Sequence, residues 1–361
     1  MKICTIIGAR PQFIKAAAVS AVLAANKSVS EVIIHTGQHY DPEMSDIFFR
    51  ELKIPREKYN LAIGSGPHGE QTGKMLMELE RVLLDEKPDW VLLYGDTNST
   101  ASGALAAVKL QIPVAHVEAG MRSFNRKMPE EINRIITDHI STLNFCSTQT
   151  AVKNLFEEGR RETAFFVGDV MYDLALQSIK YAEKYSNPFE KYSVKKGKYI
   201  LMTCHRAENT DCPERLSGIV NAVNKIARKI PVLLPLHPRT KKYLSDYKLN
   251  FSTDVKIVSP LSYFEMILLE KSAKIILTDS GGIQKEAFFY KVPCITMRDE
   301  TEWLETLENG WNIITGADYG KICEAFQYFT ETVLECSNLK PYGDGKAAAK
   351  ILKILSAKRN V

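Results

Sequence analysis

Apolar residues in this chain fall in short unbroken runs separated by longer stretches of mixed character. In the first half the runs KICTIIG, EVIIHTG, WVLLYG and PVAHVE are divided by PQFIKAAAVSAVLAA, a polar–apolar stretch and ASGALAAVKLQ. The runs are apolar throughout rather than alternating, as strands covered on both faces must be. The stretches between them place apolar residues at helical spacing. Strand and helix in regular alternation predict a parallel sheet with helices on both faces. The pattern reaches AFFVGDVMYD near 164–173, passes through the polar segment EKYSNPFEKYSVKKGK, and restarts with YILMTC at 199. PVLLPL, VKIVS, KIILTDS, VPCITM and WNIIT follow, each separated from the next by a helix-like stretch. The expected fold class is therefore α/β, with two Rossmann-like, doubly wound parallel-sheet domains at 1–170 and 171–361. A final helical repeat, KAAAKILKILSAK, can pack back on the first domain.

Length agrees with two domains, because 361 residues exceed what one hydrophobic core usually serves. A net charge of +4, from 47 basic and 43 acidic residues, is too balanced for a nucleic-acid surface but allows a local anion pocket. The apolar stretch after Met1-Lys2 ends at Gly8, too short for a signal peptide or a membrane span, so a cytoplasmic protein with no membrane partner is expected. Seven scattered cysteines without CxxC spacing predict free thiols and no metal.

Candidate chemistry gathers where predicted strands end, the edge at which open α/β sheets bind ligands. After the first strand, Gly8-Ala9-Arg10-Pro11 leads into a helix that also carries Lys15. Unpaired helix amides and two cations would make an anion site; a solvated loop is the alternative. Asp96, in YGDTNST, either caps a helix or faces a ligand, and Glu118, in HVEAG, falls on the same predicted edge. Of Glu130 and Glu131, one serves the helix dipole and the other can project toward a ligand. In the second half His205, beside Arg206, ends a strand, and His237 ends another; a buried structural histidine is the competing reading of His205. Ser280-Gly281-Gly282 opens a helix with exposed amides suited to phosphate, and Glu286, one turn in, suits a ribose hydroxyl. Several carboxylates with no nucleophilic triad, metal cluster or GxGxxG favour proton transfer on a nucleotide sugar.

Eight blocks, GARPQFIK, YGDTNST, HVEAGMRS, MPEEINR, VGDVMYD, HRAEN, LTDSGGIQKEA and MRDETEW, resemble in order the non-hydrolysing UDP-N-acetylglucosamine 2-epimerase family. The resemblance implies two Rossmann-like domains facing a cleft in the GT-B manner, with a hinge near Gly168-Asp169, a UDP-sugar substrate, no cofactor and a homodimer. It also implies inversion at C2 through a 2-acetamidoglycal, with Asp96, Glu118 and Glu130 as acid/base groups and His205 acting on the departing phosphate. Arg10 and Lys15 would steady the diphosphate, and Ser280, Gly281, Gly282 and Glu286 match positions that hold phosphate and ribose. Ala207 and Trp303 stand where the family usually carries arginine, and FNRKMPEE and TEWLE look more like the branch acting on UDP-2,3-diacetamido-2,3-dideoxy-glucuronate. Glu70 stands in a segment where other members contact an activating UDP-GlcNAc, so weak or absent activation is expected. A GT-B glycosyltransferase, a nucleotide-sugar sensor and a hydrolysing epimerase are the alternatives, the last two separated from this reading by whether the carboxylates are needed and whether UDP is released.

Overall fold

The computed structural model describes residues 1–38, 55–308, 310–334 and 340–358, apart from the side chain of Arg10. The chain divides into two compact units, Met1–Leu176 with Lys340–Val361, and Gln177–Leu339.

The first unit holds β1 (Lys2–Ile7), β2 (Ser30–His35), β3 (Tyr59–Asn60), β4 (Trp90–Tyr94), β5 (Val114–Ala119), β6 (Leu143–Cys146) and β7 (Ala164–Phe166). They form one sheet in the order β3-β2-β1-β4-β5-β6-β7, with every pairing parallel. The second unit repeats the plan with β8 (Ile200–Thr203), β9 (Val232–Pro235), β10 (Val255–Val258), β11 (Ile275–Thr278), β12 (Cys294–Thr296) and β13 (Asn312–Ile314), ordered β10-β9-β8-β11-β12-β13. Both orders are the doubly wound one, whose direction of winding reverses beside the first strand. The reversal lies between β1 and β4 in one unit and between β8 and β11 in the other. At such a point the connecting helices leave on opposite faces and open a crevice at the carboxyl ends of the strands.

The inner strands are buried along nearly their whole length, as in WVLLY, where all five residues are buried. Helices cover both faces. In the second unit Ile200, Met202, Val232 and Leu234 pack under the helix Pro213–Ala227, while Leu201, Leu233 and Ile276 face Leu269 and Ala287 on the other side.

The division between units differs from the 170/171 boundary expected from sequence. The helix Val170–Tyr185 begins immediately after Asp169 and runs through the break after Leu176, so the polar segment marks the end of that helix and not the division. Gly168-Asp169 belongs to the first unit, where the Asp169 amide donates to the Tyr342 carbonyl (2.9 Å) and its carboxylate accepts from the Met171 amide (2.8 Å). The terminal helix Ala347–Ala357 also belongs to the first unit and packs on the helix Arg10–Ala24. No helix among the described residues is long and apolar enough to cross a membrane.

Candidate active site

At the end of β1 the backbone passes so close to its neighbours that only glycine fits. A Cβ on Gly8 would lie 2.0 Å from Thr36 Oγ1 and 2.3 Å from Ser99 Oγ. Buried Gln12 then takes up the loop: its Oε1 accepts from the amides of Gly8 (2.8 Å) and Ala9 (3.0 Å), and its Nε2 donates to the Tyr94 carbonyl (2.8 Å). These amides, expected to be open to an anion, are thus paired within the protein. Arg10 opens the helix, and its side chain lies outside the described residues.

Lys15 is buried one turn further on, and its Nζ meets Glu118 Oε1 at 2.5 Å. Glu118 reaches it through an irregular strand end. The pairing of β5 with β6 slips between Val117 and Ala119, and Glu118 itself takes the left-handed conformation at φ +71°. A bulge of this kind re-aims one side chain, and a left-handed non-glycine residue costs about 1–2 kcal/mol. Gly95, at φ +62°, leaves room for the pair, because a Cβ there would stand 3.1 Å from Lys15 Nζ.

Asp96 follows Gly95 and is held from the helix Pro129–Ile140. Arg134 donates from Nε (3.0 Å) and Nη2 (2.6 Å) to Asp96 Oδ2, and Asn133 donates to the Asp96 carbonyl (3.0 Å). Arg134 also donates to Glu131 (2.8 Å), whose carboxylate accepts from the amides of Ser123 and Phe124, each at 2.9 Å. Burial opposes the charge of Glu131, yet these donors outweigh it and hold the carboxyl below its usual range. Of the two first-turn acids, Glu131 is therefore the buried organiser, whereas the resemblance assigns the acid/base role to Glu130. Glu130 is exposed on the first turn, with no hydrogen-bond partner among the described residues. Glu70 is exposed too, paired with Lys74 at 2.5 Å, while its neighbour Gln71 accepts from Asn98, which in turn accepts from Asn133.

The edge of the second sheet is organised by Asp279, which is wholly buried at the end of β11. It accepts from the amides of His205 (2.9 Å) and Arg206 (2.9 Å), so a carboxylate and not a helix fixes the turn after β8. His205 keeps a partly exposed ring with Nδ1 3.5 Å from Asp279 Oδ1 and its centroid 5.4 Å from that of His237. His237 is exposed and caps its own helix by accepting from the Arg239 amide (3.1 Å). Arg206 is half-buried.

Gly281 and Gly282 begin the helix Gly281–Tyr290, which has no side-chain cap at Ser280 and no acid in its first turn. An amino end left so leaves its amides to an anion. Arg298, 1% exposed, lies alongside: a Cβ on Gly281 would be 3.8 Å from its Nη1 and 3.3 Å from Trp303 Nε1. Glu302 chelates the Arg298 guanidinium at 3.0 and 3.1 Å, and Lys285 Nζ sits 3.9 Å from the centre of the Trp303 ring. Glu286 is buried on the same helix. Its charge, after burial, pushes the Glu270 carboxyl well above the ordinary carboxylate range.

Asp279, Arg134 and Arg298 are organising residues that sequence reasoning passed over. Arg134 and Arg298 did stand inside the MPEEINR and MRDETEW blocks, and Asp279 inside LTDSGG. The six described cysteines are unbridged, and burial pushes the Cys4 and Cys294 thiols up to about 12; Cys336 lies outside the described residues.

Comparison with known proteins identifies the family and the fold. Residues 21–356 match the profile of the family described as UDP-N-acetylglucosamine 2-epimerase. A Methanococcus maripaludis protein named as a homologue of that enzyme is 54% identical, over 98% of this chain and 99% of the relative. The UDP-2,3-diacetamido-2,3-dideoxy-D-glucuronate 2-epimerase of Pseudomonas aeruginosa is 50% identical, over 99% of each chain. The crystal structure of the Methanocaldococcus jannaschii UDP-GlcNAc 2-epimerase in complex with UDP-GlcNAc and UDP superposes with a TM-score of 0.91 at 47% identity, covering 99% of this chain and 100% of that one. The two doubly wound sheets accord with these matches, and the chain belongs to the UDP-N-acetylglucosamine 2-epimerase family.

Proposed function

We propose that this chain inverts C2 of a UDP-linked 2-acetamido sugar by elimination and re-addition. The C1–O bond to UDP breaks with its electron pair leaving on the phosphate, a carboxylate takes the C2 proton, and the C1–C2 double bond of a 2-acetamidoglycal forms. A proton then returns to the opposite face of C2 and UDP adds again at C1, so nothing is oxidised and no cofactor is needed. The observation that carries this reading is the pairing of Glu118 with Lys15 beside an Asp96 fixed by Arg134. It supplies two positioned carboxylates at one sheet edge, as proton transfer on two faces of a ring requires.

Glu118 and Asp96 are assigned to the sugar, with exposed Glu130 as the third acid/base group. Lys15 fixes the Glu118 carboxylate first of all, and Arg10 is left to the diphosphate. In the second unit the amides of Gly281 and Gly282, with Ser280, take phosphate. His205, Arg206 and His237 serve the departing group, and Glu286 the ribose. The UDP-GlcNAc complex of the M. jannaschii relative supports UDP-GlcNAc as the substrate. A second reading, the 2,3-diacetamido-glucuronate, is favoured by Trp303 carrying Lys285 on its face where the family usually has arginine, and by the P. aeruginosa relative.

Proton NMR in D₂O with each nucleotide sugar in turn tests both. Deuterium entering C2 together with the manno epimer identifies reaction and substrate; free UDP accumulating with the sugar would indicate hydrolysis, and no exchange with either sugar would remove the epimerase reading.

A further inference from the structure

His116 lies wholly buried on β5, two residues before Glu118. Its Nε2 stands 2.7 Å from the carbonyl oxygen of Gly95, and its Nδ1 2.7 Å from Asp138 Oδ1. A carbonyl oxygen only accepts. Asp138 also only accepts, because Arg122 Nη1 (2.7 Å) and the Gly120 amide (3.0 Å) on its other oxygen favour the ionised carboxylate, which has no proton to donate. Two acceptors on the two nitrogens of one imidazole call for two N–H donors, and a neutral ring has one. The surroundings balance the extra proton. Arg122, whose other donors chelate Glu158 at 2.7 Å each, and His116 face the carboxylates Asp138 and Glu158, with exposed His139 on the outer side of Glu158. Burial opposes the charge of Asp138, but the hydrogen bonds and charges of His116 and Arg122 hold its carboxyl below the usual range.

Gly95 is the residue this arrangement grips. Its amide donates to the Val117 carbonyl (3.0 Å) while its carbonyl accepts from His116, so the left-handed turn is held at both ends by β5. Asp96 comes next in the chain, and the Lys15–Glu118 pair lies against the open face of the glycine. We infer that His116 is a positioning residue: a buried imidazole bearing both ring protons that ties the Gly95 carbonyl to Asp138 and so keeps the Asp96 turn in register with Glu118. The inference rests on the assignment of Asp96 and Glu118 to the sugar.

Two measurements on the full chain test it. In ¹⁵N-labelled wild type at neutral pH, one histidine is expected to show both ring nitrogens protonated and slow to exchange, with the signal absent from His116→Phe. A neutral tautomer at this residue overturns the inference, whether or not the variant folds. His116→Phe keeps the ring volume and removes both donors. Misplacement of the reacting groups by about 1 Å predicts a kcat lower by about 100-fold, with KM and UDP binding within about threefold of wild type. A kcat within threefold of wild type, or equal losses in kcat and in UDP binding, overturns it. Wild type that epimerises neither sugar removes the functional reading alone, because the NMR result stands independently of turnover.

Discussion

The carboxyl ends of the two sheets carry similar residue types to opposite effect. In the first unit the cations serve the protein: Lys15 is spent on Glu118 and Arg134 on Asp96 and Glu131, while Gln12 closes the nearby amides. In the second unit a buried carboxylate, Asp279, gathers the backbone at β8, and the glycine-led helix end keeps its amides uncapped beside Arg298. One edge holds anions in place and the other holds space for an anion. Positioned side-chain charges can take and return protons, whereas open amides bind charge without changing it. On the proposed function, the paired carboxylates of the first edge would carry the proton transfer, and the open amides of the second would hold the phosphate on which His205 acts.

That contrast breaks most sharply at Glu118. Glu118→Gln keeps the shape and loses the base, so kcat is expected to fall by roughly 10³-fold, in the range of a general acid–base group, while KM stays within a few-fold; C2 deuterium exchange measures it. Arg134→Ala leaves buried Glu131 without its cation and Asp96 without its clamp. It should cost on the order of 3 kcal/mol in urea unfolding as well as activity. On the second edge, Gly281→Ala places a Cβ 3.3 Å from Trp303 Nε1 over the helix amides. KM should rise about tenfold, or about 1.4 kcal/mol, with kcat little changed, by steady-state kinetics. A kcat loss exceeding the KM change would mean that this helix end takes part in the chemistry as well as in binding.

The smallest effect concerns Glu270, whose carboxyl is pushed well above the ordinary carboxylate range by burial and by the charge of Glu286. Its folded value lies above its unfolded one, so its contribution is whole below the unfolded value of about 4.3. Stability is lost as pH rises above that point, because the unfolded chain releases a proton that the folded chain keeps. Glu270→Gln has no proton to release. Its Tm relative to wild type should therefore increase from pH 5 to pH 8, by differential scanning fluorimetry, and a constant difference would show that Glu270 is charged in the fold.

Much of the architecture could be read from apolar runs alone. Eleven of the thirteen strands among the described residues announce themselves this way, because strands buried on both faces leave little room for polar residues. β6 escaped notice because the short run Leu143–Cys146 is interrupted by Asn144, whose Nδ2 donates to the Asp138 carbonyl and to Thr163 Oγ1. Tyr59–Asn60, a two-residue edge strand, had no pattern to show. At the site, residue blocks pointed to the correct strand ends, yet not to who pairs with whom. Asp279 acts on amides 74 residues away, and Glu118 depends on a register slip, neither of which leaves a periodic trace. Glu130 and Glu131 are alike as first-turn acids, and only burial separates them.

The return of the C-terminal helix to the first unit has a consequence for how such enzymes can diversify. Residues 177–339 are bracketed on both sides by chain that belongs to the first unit, so the second is topologically a cassette inserted into its neighbour and joined through two covalent crossings. A recombination event that replaced this segment would exchange the whole second sheet with its glycine-led helix end while leaving Lys15, Asp96, Glu118 and Arg134 uncut. A truncation of the last helix, by contrast, would damage the unit farthest from it in sequence.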